Sequence, residues 1–106
     1  MGERVLTIPL KGVYFDQIKS GDKRTEYRLR TPYWTKRLRM REYDLIALTR
    51  GYPKGGGVEG ETRLTRKWNG FSVGTITHEH FGPGAVDVYN IDVSVPYSSP
   101  NEAGDR

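Results

Sequence analysis

The chain has 106 residues, contains no cysteine and carries a formal net charge of +4 at pH 7. This length suits one domain with one modest core, and the absence of cysteine excludes disulfide bonds, thiolate metal sites and cysteine nucleophiles. The first residues contain no long apolar run, which predicts neither a signal peptide nor a membrane span, and therefore a cytoplasmic protein.

The chain begins with a predicted strand followed by a predicted helix. Residues 5–10 are rich in strand-forming residues, and Pro9 places this strand at a sheet edge or at a bulge. Residues 12–20 form a helix, and Gly21 ends it in a left-handed conformation. The helical spacing predicts that three residues of this helix are buried: Val13, Tyr14 and Ile18.

A second strand, over residues 24–30, leads into a second helix. Thr31 has the residue type of a helix N-cap, and Pro32 follows it in the first turn. This helix ends near Arg39 and carries Trp34 and Leu38 on one face.

The C-terminal half is predicted to be mostly strands. Residues 44–50 form the strand expected to be most buried, and residues 51–57 form a glycine-rich loop. Asn69-Gly70 is a hairpin signal. The hairpin joins two predicted strands, over 61–68 and 71–80. A half-exposed strand follows over 85–93, and residues 96–106 are predicted to be a disordered tail. Five or six short strands with two early helices predict one α+β barrel domain over residues 1–95.

The start of the second strand has an unusual concentration of charge. The segment from Gly21 to Arg28 reads GDKRTEYR, with a lysine, a glutamate and an arginine close behind the glycine. Alternate residues of a strand share a face, so the charged residues Glu26, Arg28 and Arg30 are expected on one face. Thr25, Tyr27 and Leu29 are expected on the other face, toward the core.

This segment resembles the signature of the ASCH domain, Gly-x-Lys-x-x-Glu-x-Arg. It stands here as Gly21, Lys23, Glu26 and Arg28, and the flanking segments 10–21, 31–38 and 50–52 resemble small ASCH-like proteins of phages and bacteria. The likeness covers roughly residues 5–95. It implies a small β-barrel related to the PUA fold and an association with RNA, and it indicates the fold more strongly than the activity.

The positive charge is concentrated in one segment. From Lys23 to Arg41 there are eight basic residues and one acidic residue, which gives +7 and leaves −3 for the rest of the chain. A basic lobe with interleaved aromatic residues is typical of a nucleic-acid surface, and Lys36 and Arg37 of the second helix are expected to bind phosphates. A solvated basic face without a ligand is the alternative.

Lys23 and Glu26 are the candidate catalytic residues if the protein is an enzyme. A lysine beside a carboxylate can donate a proton, act as a nucleophile or anchor a phosphate, or it can simply form an ion pair. Within the ASCH-like group, the N4-acetylcytidine amidohydrolases use a lysine at the position of Lys23, together with a threonine and a glutamate. Glu26 stands at the position of that threonine, and Glu61 and Glu79 are candidates for the glutamate.

Two histidines form a second candidate cluster. His78 and His80 lie two residues apart, so on a strand they share a face suited to ligand contact or to acid–base chemistry on a phosphodiester. A zinc site would need a carboxylate as third ligand, and ordinary surface histidines are favoured over it. We therefore predict no metal and no cofactor, while ribonuclease activity, reported for some ASCH proteins, stays open.

Arginines and a tyrosine complete the predicted ligand-binding set. Arg28 and Arg30 suit phosphate oxygens and base edges, and Arg50, at the end of a strand, is expected to converge with Arg28. Tyr52 is either a stacking platform or a ring lying on the barrel wall.

These observations predict a domain that binds single-stranded RNA or a modified nucleotide in a cleft. Lys23, Glu26 and Arg28 would form one wall, flanked by Arg50, Tyr52 and the glycines at 55–57. Exposed aromatic residues favour unpaired bases over duplex. The alternatives are a hydrolase of RNA or of an acylated nucleoside, and a protein-interaction module with a basic face.

Overall fold

The chain folds into two three-stranded sheets and two α-helices. The computed structural model describes residues 2–97. One sheet has the order β1-β3-β4, formed by Val5–Leu10, Leu45–Arg50 and Arg63–Lys67. The other has the order β2-β6-β5, formed by Thr25–Leu29, Ala85–Asp92 and Phe71–Thr77. The helices are α1 (Gly12–Ser20) and α2 (Pro32–Arg39), and 3-10 turns span Lys54–Gly56 and Glu79–Phe81. The α+β class is therefore confirmed.

Local signals fix the ends of both helices as predicted. Gly21 ends α1 with φ +90°, and its N–H bonds to the carbonyl of Ile18 at 3.1 Å. The Thr31 hydroxyl accepts the N–H of Trp34 at 3.2 Å, and Pro32 occupies the first turn of α2. Neither helix of the described part of the chain is long and apolar enough to cross a membrane.

Parallel pairing of β1 with β3 organises the first sheet. The register runs from Val5 opposite Leu45 to Leu10 opposite Arg50. β1 is an edge strand, as Pro9 predicts, because proline has no N–H to donate to a second neighbour. β3 is central, and its first five residues are buried, which confirms it as the most buried strand.

The predicted hairpin at Asn69-Gly70 is wrong. β4 pairs with β3, while β5 pairs with β6, so the turn carries the chain from one sheet to the other. Gly70 has φ +83°, as a tight turn requires, but the Asn69 amide donates to Asp92 of β6 at 2.7 Å. Local turn propensity marked the reversal correctly, whereas the choice of strand partners depends on distant residues.

Residues of both sheets and both helices form the core. Buried residues include Leu6, Ile8, Ile46, Leu48, Ile91 and Val93 of the strand regions, with Phe15, Ile18 and Leu38 of the helices. The predicted burial of Val13 is wrong, because α1 turns Phe15 inward and leaves Val13 56% exposed. The expected core face of β2 is wrong in part, since Leu29 is 37% exposed and Glu26 of the other face is buried, while Thr25 and Tyr27 are half-buried.

The two sheets are joined beyond the end of β6. The N–H of Lys67 in β4 bonds to the carbonyl of Val95 at 2.9 Å, and Arg66 forms an isolated bridge with Pro96. Within residues 2–97, the strand ladders form two separate sheets and not one closed barrel. Tyr97 donates to Glu3 at 2.9 Å, and residues 98–106 of the predicted tail lie outside the described residues.

Tyr89 links α2 to the second sheet. Its buried hydroxyl is 2.7 Å from the Thr35 hydroxyl and accepts Nε of Arg39 at 3.2 Å. The hydrogen bond with Thr35 is the largest cause of a lowered pKa for Tyr89, and Arg39 adds to it against the opposing effect of burial. The Tyr89 hydroxyl therefore provides hydrogen bonds to Thr35 and Arg39, two polar side chains that α2 places next to the core.

We expect Tyr89→Phe to lower the free energy of unfolding by about 1–2 kcal/mol, because Thr35 and Arg39 lose their hydrogen-bond partner while packing is kept. Urea denaturation measures the change. Tyr33→Phe is the matched control, since Tyr33 is exposed, and it should change stability by less than about 0.5 kcal/mol. Equal effects of both variants would contradict this role of the Tyr89 hydroxyl.

Candidate functional site

A cleft of about 390 Å³ opens where five segments of the chain meet. These segments are the end of β1, the first turns of α1, the entry into β2, the loop after β3 and the turn after β5. The lining residues are Pro9, Leu10, Lys11, Tyr14, Lys23, Glu26, Tyr27, Arg28, Gly51, Tyr52, His78, His80 and Phe81. Six of the predicted site residues lie among them: Lys23, Glu26, Arg28, Tyr52, His78 and His80.

A carboxylate held between two cations forms the centre of the cleft. Oε1 of Glu26 is 3.6 Å from Nζ of Lys23, and Oε2 is 3.0 Å from Nη2 of Arg28. The exposed fractions of the side chains are 8% for Glu26, 14% for Lys23 and 24% for Arg28. This geometry brings Glu26 and Arg28 together as their shared strand face predicts, and the three charges leave the group with a net charge of +1.

The chain reversal at Gly21 positions Lys23. After the left-handed glycine, the N–H of Lys23 bonds to the carbonyl of Gln17 at 3.0 Å, which returns the chain alongside α1 before β2 begins. The Lys23 ammonium then lies 5.4 Å from the ring centre of Tyr14 and 4.7 Å from that of Tyr27. Both rings are within the range of cation–π attraction.

Tyr14 and Tyr27 line the cleft, although the sequence predicts both in the core, Tyr14 by helical spacing and Tyr27 by strand alternation. Both are half-buried, as suits a ring with a polar hydroxyl. The rotation of α1 turns Phe15 and Ile18 into the core and leaves Tyr14 at the wall of the cleft.

Arg28 connects the cleft to β1 and to α2. Its Nη2 donates to the carbonyl of Pro9 at 2.8 Å, and its guanidinium carbon lies 5.3 Å from the ring centre of Trp34. Nε of Arg28 is buried and has no hydrogen-bond partner within residues 2–97. The Nη2 contacts with Glu26 and Pro9 hold the guanidinium in one orientation at the wall of the cleft.

His78 and His80 reach the cleft through a turn and not through strand alternation. β5 ends at Thr77, and Nδ1 of His78 accepts the N–H of His80 at 3.0 Å as it caps the turn Glu79–Phe81. Both rings contact the edge or face of Tyr14, at 6.0 Å and 5.7 Å between centres. The strand over 71–80 was therefore predicted too long, because this local cap ends it.

His80 lies at the rim, where its ring also packs 5.0 Å from Phe81. Partial desolvation is the largest cause of a lowered pKa for His80, and the charges of Lys11, His78 and Arg28 act in the same direction. Glu26 opposes them. The lowered pKa favours the neutral imidazole at pH 7, which can both donate and accept a hydrogen bond.

Tyr52 lines the cleft, but the glycine-rich loop does not. Tyr52 stands at the mouth of the cleft with 91% of its surface exposed, directly after Gly51, which adopts φ +67° and bonds to the carbonyl of Leu10 at 2.8 Å. The glycines at 55–57 lie outside the lining, contrary to prediction. The loop packs against Thr62, and a Cβ on Gly57 would lie 2.9 Å from that residue's hydroxyl.

Arg50 does not converge with Arg28. Its guanidinium bonds to Asp16 at 3.3 Å and lies against Gly12, where a Cβ would come within 2.7 Å of it. Gly12 at the start of α1 thus makes room for Arg50 outside the cleft. The prediction failed because the end of β3 points this side chain toward α1.

The other predicted basic residues form a separate surface on and beside α2. Arg37 lies 4.9 Å from the ring centre of Tyr33 and 5.8 Å from that of Trp34. Arg30 lies 5.8 Å from the ring centre of Tyr89, and Lys36 is exposed. Trp34 has Arg28 and Arg37 as neighbours, so it joins this surface to the cleft.

The part of the chain that the structure describes contains no group of three histidine, aspartate or glutamate residues able to hold a metal ion. No protein-family model, curated protein or solved structure matches this chain.

We expect Glu26→Gln to lower the free energy of unfolding by about 2–3 kcal/mol, because Lys23 and Arg28 then lie close together without a compensating charge. Chemical denaturation at low salt measures this loss. Asp16→Asn is the matched control, because it removes the carboxylate of the exposed Arg50 pair and should cost less than about 1 kcal/mol. A Glu26→Gln protein as stable as the control would mean that the buried ion pairs do not hold the cleft together.

We expect the imidazole of His80 to titrate below its ordinary pKa of 6.5. A pKa lowered by folding means that the stabilising contribution is fully present above pH 6.5 and is lost as the pH falls through the folded-state value. NMR titration of the histidine ring signals measures the midpoint. Lys11→Met should raise it by removing a nearby positive charge, whereas Lys19→Met, at the far end of α1, should not. A wild-type midpoint at or above 6.5 would contradict the prediction.

Proposed function

We propose that this protein is an ASCH-like domain that binds single-stranded RNA, or a modified nucleotide, in the cleft. The observation that carries the proposal is the position of Lys23 between two tyrosine rings, beside Glu26 and Arg28. Cations attract phosphate, aromatic rings stack with bases, and a buried carboxylate accepts the N–H groups of a base edge. These three chemistries meet within one cavity large enough for a nucleotide-sized ligand.

Arg28, whose side chain is 24% exposed and lines the cleft, supports recognition of an oxygen atom on the ligand. Its Nη2 is bonded to Glu26 and to the Pro9 carbonyl, which fixes the guanidinium. Arginine in this fixed orientation can donate to a carbonyl oxygen of a base without losing the contacts that hold it. The nearby Glu26 carboxylate can accept an amino or imino proton of the same base.

The surface of α2 supports a chain longer than one nucleotide. Arg37 stacks on Tyr33 and Trp34, and Trp34 is also in contact range of Arg28. A strand with one base in the cleft can place its next phosphates along the exposed residues Lys36 and Arg39. The mouth residue Tyr52 offers a second base a ring to stack on, which favours unpaired over duplex RNA.

We further propose that the two sheets are the halves of a PUA-like barrel. Two contacts support this arrangement. The bond from Lys67 to Val95 joins the sheets at one side, and the bond from Arg28 to Pro9 joins β2 to β1 at the other. The signature residues Gly21, Lys23, Glu26 and Arg28 would then stand at the seam between the halves.

A hydrolase of the same fold is the second candidate, and the pair of Lys23 with Glu26 favours it. The 3.6 Å between Nζ and Oε1 allows one group to orient the other for attack on an acyl or phosphoryl group. Neutral His80 at the rim could accept a proton in such a reaction. The variants that test binding also distinguish this candidate, provided that product formation is measured beside affinity.

We expect Lys23→Ala to weaken binding of a fluorescent, mixed-sequence single-stranded RNA by about tenfold or more, since the cleft loses its central cation. Fluorescence anisotropy at low and at physiological salt measures the affinity, which should fall with salt for the wild type. Lys67→Ala is the matched control, because it removes the same charge from β4, outside the cleft. Equal losses of affinity in both variants would mean that RNA binding depends only on the net charge of the protein, which would contradict a site in the cleft.

The same assay separates the alternatives. Tyr52→Ala should weaken RNA binding, and Tyr52→Phe should preserve it. A protein-interaction module would not bind RNA as the wild type or as either variant. In a parallel gel assay, cleavage of the RNA, or release of an acyl group from an acylated nucleoside, that disappears in Glu26→Gln would establish the hydrolase. Binding by the wild type without turnover would support the binding domain.

A further inference from the structure

The outer edge of β5 is a free strand edge without any charged residue. β5 lies at the end of the β2-β6-β5 order and pairs with β6 on one side only. Within residues 2–97, no strand pairs with its other side. Its sequence, FSVGTIT, contains no charge and no proline, and Ser72, Val73, Thr75 and Thr77 are exposed.

The other edge strands each carry a feature that discourages pairing, and β5 carries none. Pro9 removes a donor from β1, and β4 is basic and is bridged at Arg66 to Pro96. β2 is charged, and Arg28 binds the Pro9 carbonyl beside it. Proteins commonly protect free edges by charge, proline or cover, because exposed N–H and C=O groups accept another strand. The bare edge of β5 is therefore suited to pairing.

We propose that this edge is a self-association surface, on which β5 of a second copy pairs antiparallel about a two-fold axis at Gly74. The sequence is complementary to itself in this register. Gly74 meets Gly74 of the second copy, Val73 meets Thr75, Ser72 meets Ile76 and Phe71 meets Thr77, so each apolar β-branched or aromatic residue opposes threonine or serine. The outward side chains of both strands are uncharged, and no like charges meet along the seven residues.

The segment around β5 places no like charges against each other in a second copy. No Lys, Arg, Asp or Glu lies between Lys67 and Glu79. Antiparallel ladders are slightly more stable per residue than parallel ones, and a two-fold axis closes the pair with the same edge of both copies. The antiparallel direction is therefore favoured.

The sheet order also keeps the basic lobes of two copies apart. The paired sheets would have the order β2-β6-β5 in one copy, followed by β5-β6-β2 in the second copy. This order places β2 and its basic neighbours at the two outer ends. Five strand spacings of about 4.8 Å separate these ends by roughly 24 Å. This distance exceeds the Debye length of about 8 Å at physiological salt, so their repulsion is largely screened.

A single pair of seven-residue strands buries less surface than a standard stable interface, so a weak dimer is expected, with a dissociation constant above about 1 µM. Sedimentation velocity over a concentration series from about 5 to about 500 µM covers this range. The wild-type protein should shift from monomer toward dimer. It should form nothing larger, because pairing about a two-fold axis uses this edge of both copies.

Two double variants that share Thr75→Lys test the register. In Val73→Lys/Thr75→Lys, each lysine at 73 opposes a lysine at 75 of the second copy, and association should weaken at least tenfold. In Val73→Glu/Thr75→Lys, each glutamate opposes a lysine, and association should match or exceed that of the wild type. Both variants lose the same hydrogen bond from Thr75 to Asp87, and circular dichroism with thermal unfolding verifies that both fold.

Three results would overturn the proposal. The wild type could remain monomeric over the whole range, the two double variants could associate equally, or oligomers larger than a dimer could accumulate. A loss of association in the lysine–lysine variant alone, with both variants folded, would support antiparallel pairing of β5. None of these readouts involves RNA, so the outcome is independent of the function proposed for the cleft.

Discussion

The buried carboxylate of Glu26 is the constraint on which the cleft depends. A charge this far from water must be compensated, and Lys23 and Arg28 compensate it from two sides. Nη2 of Arg28 binds both Glu26 and the Pro9 carbonyl, so the same group that compensates the carboxylate links β2 to β1. Lys23 binds Glu26 from a position near the rings of Tyr14 and Tyr27, which links α1 to the same site. One carboxylate thus aligns parts of both sheets and a helix.

The cleft and the surface of α2 form one continuous series of cations and aromatic rings. Arg28 contacts Trp34, Arg37 contacts both Trp34 and Tyr33, and Arg39 reaches Tyr89 in the core. Guanidinium groups held on rings lose less conformational freedom when a ligand arrives than free side chains would. The cations that contact rings in the segment from Lys23 to Arg41 therefore form an ordered surface and not only an accumulation of charge.

Much of the fold follows from local signals, whereas the site follows only in part. Gly21, Thr31 and Pro32 act within a few residues, and the helix ends that they predict are confirmed. The Asn69-Gly70 turn failed as a hairpin because strand pairing is decided across the whole chain. Lys23, Glu26 and Arg28 could be foreseen because they belong to one short segment. Tyr14 and the position of Arg50 could not, because they depend on how α1 rotates and on where β3 ends relative to it.

The parallel pairing of β1 with β3 bears on how the protein folds. Parallel neighbours need a long crossover, and here residues 11–44 form it, including α1, β2 and α2. All residues of the Lys23–Glu26–Arg28 cluster lie inside this crossover, yet Arg28 bonds to β1, which precedes it. Contacts between residues far apart in sequence slow folding, because the entropy of closing the loop is lost before the contacts form. The helices and the local pairs of Lys23 and Arg28 with Glu26 can therefore form early, while the cleft, whose wall also includes Pro9, Tyr52 and His78, assembles late.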